Sequence, residues 1–271
     1  MRTLWAVIKA VCFAAMTVGF YLTWLIALPF LLVSSKAARW WRGFIFRTWA
    51  RAMARLLGMT ITVKGPPPQP PFYLVSNHLS YVDVIVLAAH LDCVFVAKSD
   101  IASWPFFGLF SRSFNTIFID RENRSDILRV NALIEKVMSD GWGVVVFPEG
   151  TSTKGESVIP FKPNLLEPAA KAGWPVSYAS LSYRTPPDET PAHQAICWWG
   201  EMSFAPHLFG LLHLRRFEAT LTFGAEKFQN TDRKLLAGSL HDAVERIFIP
   251  VLITETECST ETQAMIHRSG Q

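Results

Sequence analysis

The sequence predicts an α/β fold: a mixed, largely parallel sheet flanked by helices, preceded by an N-terminal membrane-associated helical segment. Three observations predict it. Beyond residue 71, short apolar runs alternate with stretches of helical periodicity, the pattern of strands joined by crossover helices. Each of the first four apolar runs stops abruptly at polar residues. The chain also opens with an uncharged stretch of 24 residues, Ala10 to Val33. Composition fits this division. Half of the 271 residues are hydrophobic and only 18% are charged, which excludes a disordered chain. The formal net charge of +4 is small, so its distribution matters more than its total.

As a helix, the first stretch covers about 36 Å, enough to cross a hydrocarbon core of about 30 Å. It is too long for the apolar core of a signal peptide, and no A-x-A cleavage site follows it. Lys36, Arg39, Arg42, Arg47, Arg51 and Arg55 come next, with no acidic residue among them. Trp41, Ile45, Trp49, Met53 and Leu56 recur between them at helical spacing. This reads as a basic amphipathic helix at an anionic membrane surface. The arginine excess places the rest of the chain on the cytoplasmic side of the cell membrane. Residues 1–64 are therefore expected to form a membrane anchor. Gly65-Pro66-Pro67-Pro68-Gln69-Pro70-Pro71 reads as a stiff linker, residues 72–254 as the globular domain and 255–271 as a flexible tail.

Within the domain, Phe72–Ser76, Val94–Ala97, Thr116–Ile119 and Gly143–Phe147 read as the first strands. Ser80–Leu91, Ser125–Met138 and Asn164–Lys171 read as helices. Val176–Tyr183, Ala195–Trp199 and Glu218–Phe223 are expected to extend the sheet, with a last helix at Thr231–Phe248. Cys12, Cys93, Cys197 and Cys258 are scattered, so neither a disulfide framework nor a metal site is expected.

The chemistry is expected at one edge of the sheet. The first four strands lead into Asn77-His78, Lys98, Asp120-Arg121 and Pro148-Glu149-Gly150-Thr151. Ligands of open parallel sheets bind outside the carboxyl ends of the strands, so residues distant in sequence meet there. His78 and Asp83 are five residues apart and would not share the face of one helix. They can meet if His78 lies in a loop and the helix starts near Ser80, where Ser80-x-x-Asp83 resembles a capping box. An aspartate so placed orients the imidazole, whose other nitrogen can take a proton from an alcohol. The spacing alone equally permits a capped helix beside a surface histidine. Glu149 can likewise be read as a carboxylate for substrate hydroxyls or as part of a strand-end turn.

Taken together, these residues resemble the glycerolipid acyltransferase family, the 1-acylglycerol-3-phosphate acyltransferase type. Its NHxSxxD block appears as Asn77-His78-Leu79-Ser80-Tyr81-Val82-Asp83 and its FPEGT block as Phe147-Pro148-Glu149-Gly150-Thr151. Ile117-Phe118-Ile119-Asp120-Arg121 and Trp174-Pro175-Val176 stand for the other two blocks. The resemblance implies that 72–254 is an acyltransferase catalytic domain, with His78 and Asp83 catalytic. Lys98, Arg121, Glu149, Gly150, Thr151 and Lys162 would bind substrate. It further implies an acyl thioester co-substrate, acyl-CoA or acyl carrier protein, no cofactor, and membrane lipids as partners. The implied acceptor is 1-acyl-glycerol-3-phosphate, giving phosphatidic acid. The family often carries an arginine after its EGT, whereas this chain has Ser152-Thr153-Lys154, with Lys162 further on. A lysine is not a bidentate phosphate ligand, so another lysolipid such as a lyso-aminolipid is the alternative acceptor.

Rival functions lack their signatures. No G-x-S-x-G turn marks a serine hydrolase. Gly150 to Gly155 begins like a P-loop, but Glu156 stands where its lysine should be. No HExxH occurs, and a nucleic-acid helix would not need the preceding apolar run. A non-catalytic membrane scaffold of the same fold would not need His78, Asp83 and Glu149 together.

Overall fold

The computed structural model describes residues 2–31, 34–103, 107–120 and 124–252. Among these, seven strands form one sheet: β1 (Met59–Lys64), β2 (Tyr73–Ser76), β3 (Cys93–Lys98), β4 (Ile117–Ile119), β5 (Gly143–Val146), β6 (Val176–Arg184) and β7 (Phe217–Phe223). Their order is β1-β7-β6-β2-β5-β3-β4. Every neighbouring pair is parallel except β6 and β7. The helices are α1 (Arg2–Leu31), α2 (Ser35–Leu57), α3 (Val82–Ala88), α4 (Phe107–Ser113), α5 (Arg124–Ser139), α6 (Glu167–Ala172), α7 (Ala192–Ala195), α8 (Phe204–His213) and α9 (Arg233–Ile247). The central strands β2 and β5 are buried at every position, as expected of strands covered on both faces.

Three expectations need correction. Met59–Lys64, read with the anchor, is β1 and pairs in parallel with β7 in full register from Met59↔Phe217 to Lys64↔Thr222. The proline-rich stretch therefore joins two strands of one sheet. Ala195–Trp199 is not a strand. The chain forms the short α7, and the Trp198 and Trp199 indoles donate to the carbonyls of Met202 and His193, folding the segment back on itself.

The third correction concerns the basic helix. Of its predicted apolar stripe, Ile45, Trp49 and Met53 are buried in the protein core and Trp41 and Leu56 pack half-buried against it, with Leu57 buried beside them, rather than being offered to lipid. Several of its arginines also turn inward. Arg39 donates to Asp140 O, just past α5, and Arg51 Nε donates to Ala89 O, just past α3, at 2.9 Å. Both satisfy carbonyls left open at a helix C-terminus, where positive charge is favoured. Arg47 pairs with Asp92. Gly58 ends α2 in the left-handed region at φ 73°, and a Cβ there would lie 2.2 Å from Arg215 O, so only glycine allows the chain to enter β1 here.

Helix α1 is long and apolar enough to cross a membrane over Arg2–Ala27. One stripe of it, Ala6, Ala10, Phe13, Phe20 and Trp24, packs against the core, in contact with α2 and α8. The spacing is that of one helix face. Lys9 Nζ donates to Leu214 O at 2.7 Å, and Trp49 Nε1 donates to Thr17 Oγ1 at 3.1 Å. The opposite side exposes Leu4, Trp5, Val11, Leu22 and Ile26, and α2 exposes Trp40 and Phe44. Pro29 lies inside α1 and does not end it.

Candidate active site

The sheet order explains how the site assembles. β2 lies between β5 and β6, with Val75 opposite Val146 and Ser76 opposite Ala179. The residues that follow β2 and β5 therefore emerge side by side. Asn77 prolongs the β2–β6 ladder with its side chain: Nδ2 donates to Leu181 O at 2.9 Å, and Oδ1 accepts from Leu181 N at 2.7 Å. This double bond fixes where the chain leaves the sheet, and His78 is the next residue.

His78 lies in the loop before α3, stacked at 4.2 Å on Phe147 at the end of β5. Its Nδ1 is 2.7 Å from Asp83 Oδ2. The same oxygen accepts Leu79 N at 2.7 Å and Ser80 N at 3.0 Å, although α3 starts at Val82 after Tyr81 rather than at Ser80 as the capping pattern predicts. Asp83 is fully buried in the first turn of α3, where the helix dipole favours an anion. Its other oxygen accepts from the Tyr183 hydroxyl at 2.7 Å. Nδ1 of His78 is thus committed, whereas Nε2 has no hydrogen-bond partner among the described residues, and the side chain is 23% exposed. An imidazole held this way can accept a proton at Nε2 and share the resulting charge with Asp83.

Glu149 arrives from β5 beside it. Oε1 accepts His78 N at 3.3 Å, and Oε2 is buried with no partner. Burial pushes this carboxyl up to about 9, reinforced by the nearby Asp83 charge, so at neutral pH it is protonated and can donate. Gly150 turns at φ 77° under the side chain of Lys162: a Cβ added there would lie 2.7 Å from Lys162 Nζ. Lys162 N donates to Pro148 O at 2.8 Å, which seats that lysine over the turn. Thr151 is exposed beyond it. Thr153 N donates to His78 O at 3.0 Å, tying the two loops together.

The structure therefore joins His78, Asp83, Glu149, Gly150 and Lys162. Lys98 lies at the same edge but two strands from β2, about 10 Å by strand spacing, and forms an exposed ion pair with Asp100 at 2.5 Å. Arg121 lies outside the described residues. Lys154 pairs with Glu156 at 2.5 Å and sits 5.8 Å from the Trp199 ring centroid. Asn77 as a strut, Tyr183 and Trp198 were not legible as site residues. Trp198 accepts Ser152 Oγ at its carbonyl and donates its N–H to Leu79 O at 2.8 Å, bridging both loops.

The comparisons with known proteins agree with this geometry. The acyltransferase family model matches residues 60–181, from β1 into β6. A lyso-ornithine lipid O-acyltransferase of Brucella abortus is 30% identical over 245 residues, which is 83% of this chain and 90% of that one. A 1-acyl-sn-glycerol-3-phosphate acyltransferase of Neisseria meningitidis is 26% identical, over 73% of this chain and 78% of that one. The fold is shared with the crystal structure of the 1-acyl-sn-glycerophosphate acyltransferase PlsC from Thermotoga maritima, at a TM-score of 0.64 and 19% identity, covering 91% of this chain and 99% of that chain. With one relative matched almost end to end, and with both motif blocks brought to one sheet edge, this chain belongs to the acyltransferase family and is an acyltransferase.

Proposed function

We propose that the chain transfers an acyl group from an acyl thioester to the hydroxyl of a membrane-held lysolipid, with a lyso-aminolipid of the lyso-ornithine type as acceptor. The observation that carries the reaction is the His78–Asp83 pair, closed at Nδ1 and open at Nε2. Nε2 takes the acceptor's hydroxyl proton as its oxygen attacks the thioester carbonyl. The carbon–sulfur bond then breaks, and the imidazolium returns the proton to the leaving thiolate. An ester and a free thiol result, with no acyl-enzyme. The buried Asp83 carboxylate stabilises the transient imidazolium, and protonated Glu149 donates to the acceptor beside it.

Two observations support a phosphate-free acceptor. The relative matched over 90% of its length acts, by its name, on lyso-ornithine lipid. The first lysine after the motif, Lys154, already spends its charge on Glu156. A second reading, 1-acyl-glycerol-3-phosphate as acceptor, is favoured by the Lys162 ammonium over the Gly150 turn. The exposed apolar side of α1 supports attachment to the lipid that carries the acceptor. The arginine excess after it favours a cytoplasmic catalytic domain.

An acceptor panel tests the proposal. The purified full-length chain is offered a labelled acyl group on CoA and on acyl carrier protein, with lyso-ornithine lipid, lysophosphatidic acid and other lysophospholipids as acceptors. The expected result is a kcat/KM for lyso-ornithine lipid at least about tenfold above that for lysophosphatidic acid, a difference of about 1.4 kcal/mol in transition-state binding. The reverse ratio establishes the second reading. Transfer to none of these acceptors, from either donor, overturns both.

A further inference from the structure

Asp83 is a fully buried carboxylate with no lysine or arginine among its hydrogen-bond partners. Its charge is held by four donors. Three of them, His78 Nδ1, Leu79 N and Ser80 N, crowd onto Oδ2. Oδ1 has one, the Tyr183 hydroxyl at 2.7 Å, delivered from the far end of β6 one hundred residues away. Tyr183 is itself buried, with its ring 6.4 Å from that of Phe217 on β7, so its hydroxyl has little freedom to turn elsewhere.

We propose that Tyr183 is a positioning residue of the acyl-transfer site: its hydroxyl locks the Asp83 carboxylate in place and sets how strongly that carboxylate holds the His78 imidazole. This rests on the reading of His78 as the base. Without the hydroxyl, Oδ1 is a buried acceptor with no donor, and the electron density it shared with Tyr183 falls back on the His78 hydrogen bond. A more basic Asp83 stabilises the imidazolium, so His78 gives up its proton less readily and the acid limb of activity moves to higher pH.

The surrounding groups leave that limb to the His78–Asp83 pair. Cys197 and Tyr183 face Asp83, and burial together with the Asp83 charge raises both well above their ordinary values. Glu149 abuts His78 from the β5 side and Glu245 adds to its field, with Glu149 raised by burial to about 9. All three of Cys197, Tyr183 and Glu149 are therefore neutral over the range of about pH 5–8 in which a histidine ordinarily titrates.

The test compares the wild-type chain, Tyr183→Phe and His78→Ala in single-turnover acyl transfer across pH, with the acceptor that the panel selects. Tyr183→Phe is expected to lower the transfer rate by about tenfold, because a carboxylate no longer locked at Oδ1 lets the His78 ring drift from its attack geometry. Steady-state KM values for thioester and acceptor, measured alongside, should stay within about twofold, and the acid limb should move up by about half a unit or more. An active His78→Ala sinks the reading of the base itself. An inactive His78→Ala beside a Tyr183→Phe with wild-type rate and limb overturns the Tyr183 proposal alone. A slower Tyr183→Phe with an unmoved limb marks a purely structural role and also overturns it. If Tyr183→Phe does not fold, 3-fluorotyrosine at position 183 decides. Its phenol is the stronger donor, so the limb must move to lower pH, and an unmoved limb rejects the proposal.

Discussion

Replacing His78 by alanine is expected to lower acyl transfer by about 10²–10⁴-fold, the contribution of a positioned general base. The ring contributes little else that the fold depends on. It is partly exposed, stacks on Phe147, and gives Asp83 one of its four hydrogen bonds. Asp83 keeps Leu79 N, Ser80 N and the Tyr183 hydroxyl. The variant should therefore remain folded, losing about 1–2 kcal/mol, the scale of one hydrogen bond to a charged group with its packing. Thioester-dependent transfer measured beside a thermal melt separates the two effects. A folded His78→Ala chain that retains more than a tenth of the wild-type rate would remove the base assignment.

The second large effect is expected for Asp83→Asn. An asparagine can fill this place with little strain. Its carbonyl oxygen can take the Oδ2 position and accept from Leu79 N, Ser80 N and His78 Nδ1. Its NH2 then faces Tyr183, whose hydroxyl oxygen turns from donor to acceptor. What disappears is the charge. The imidazolium formed during transfer loses its counter-ion inside a buried pocket, and the rate should fall by about 10²–10⁴-fold. The acid limb of the residual activity should move to lower pH, because a ring without a neighbouring anion loses its proton more easily. That shift is opposite to the one expected for Tyr183→Phe, so the two variants bracket the same hydrogen-bonded group. A wild-type rate in Asp83→Asn would mean that Asp83 only braces the loop before α3 through Leu79 N and Ser80 N.

How much of this was legible in the sequence depends on the range of the interaction. His78 and Asp83 lie five residues apart, so the sequence showed that they could meet across a loop, while the spacing alone left a surface histidine equally open and the motif resemblance was needed to choose the dyad. Glu149 was a candidate because an apolar run ends in a carboxylate and a glycine, and the FPEGT resemblance chose it over a plain strand-end turn. Tyr183 was not, although β6 itself was. Its partner is fixed by strand order, and nothing in a strand of nine residues tells which strand lies beside it. The apolar stripe of α2 was read correctly as a stripe and wrongly as a lipid contact, because lipid and protein core ask for the same side chains. The inward-turned arginines were invisible for a related reason: their partners are main-chain carbonyls at the ends of α3 and α5, which leave no mark on the side-chain pattern. β1 alternates Met59, Ile61 and Val63 with Thr60, Thr62 and Lys64, a strand pattern obscured by its position between a basic helix and a run of prolines.

The placement of β1 has a practical corollary. Because it covers the outer side of β7, while α2 fills the core beneath, the first sixty residues are a wall of the enzyme as well as its float. A truncated version beginning at the prolines would leave β7 as a naked edge, with unpaired amides and carbonyls inviting other chains to stack onto it. Solubility for biophysical work therefore has to be sought on the outer flank of α1, at Leu4, Val11, Leu22 and Ile26, by polar replacement rather than by the scissors.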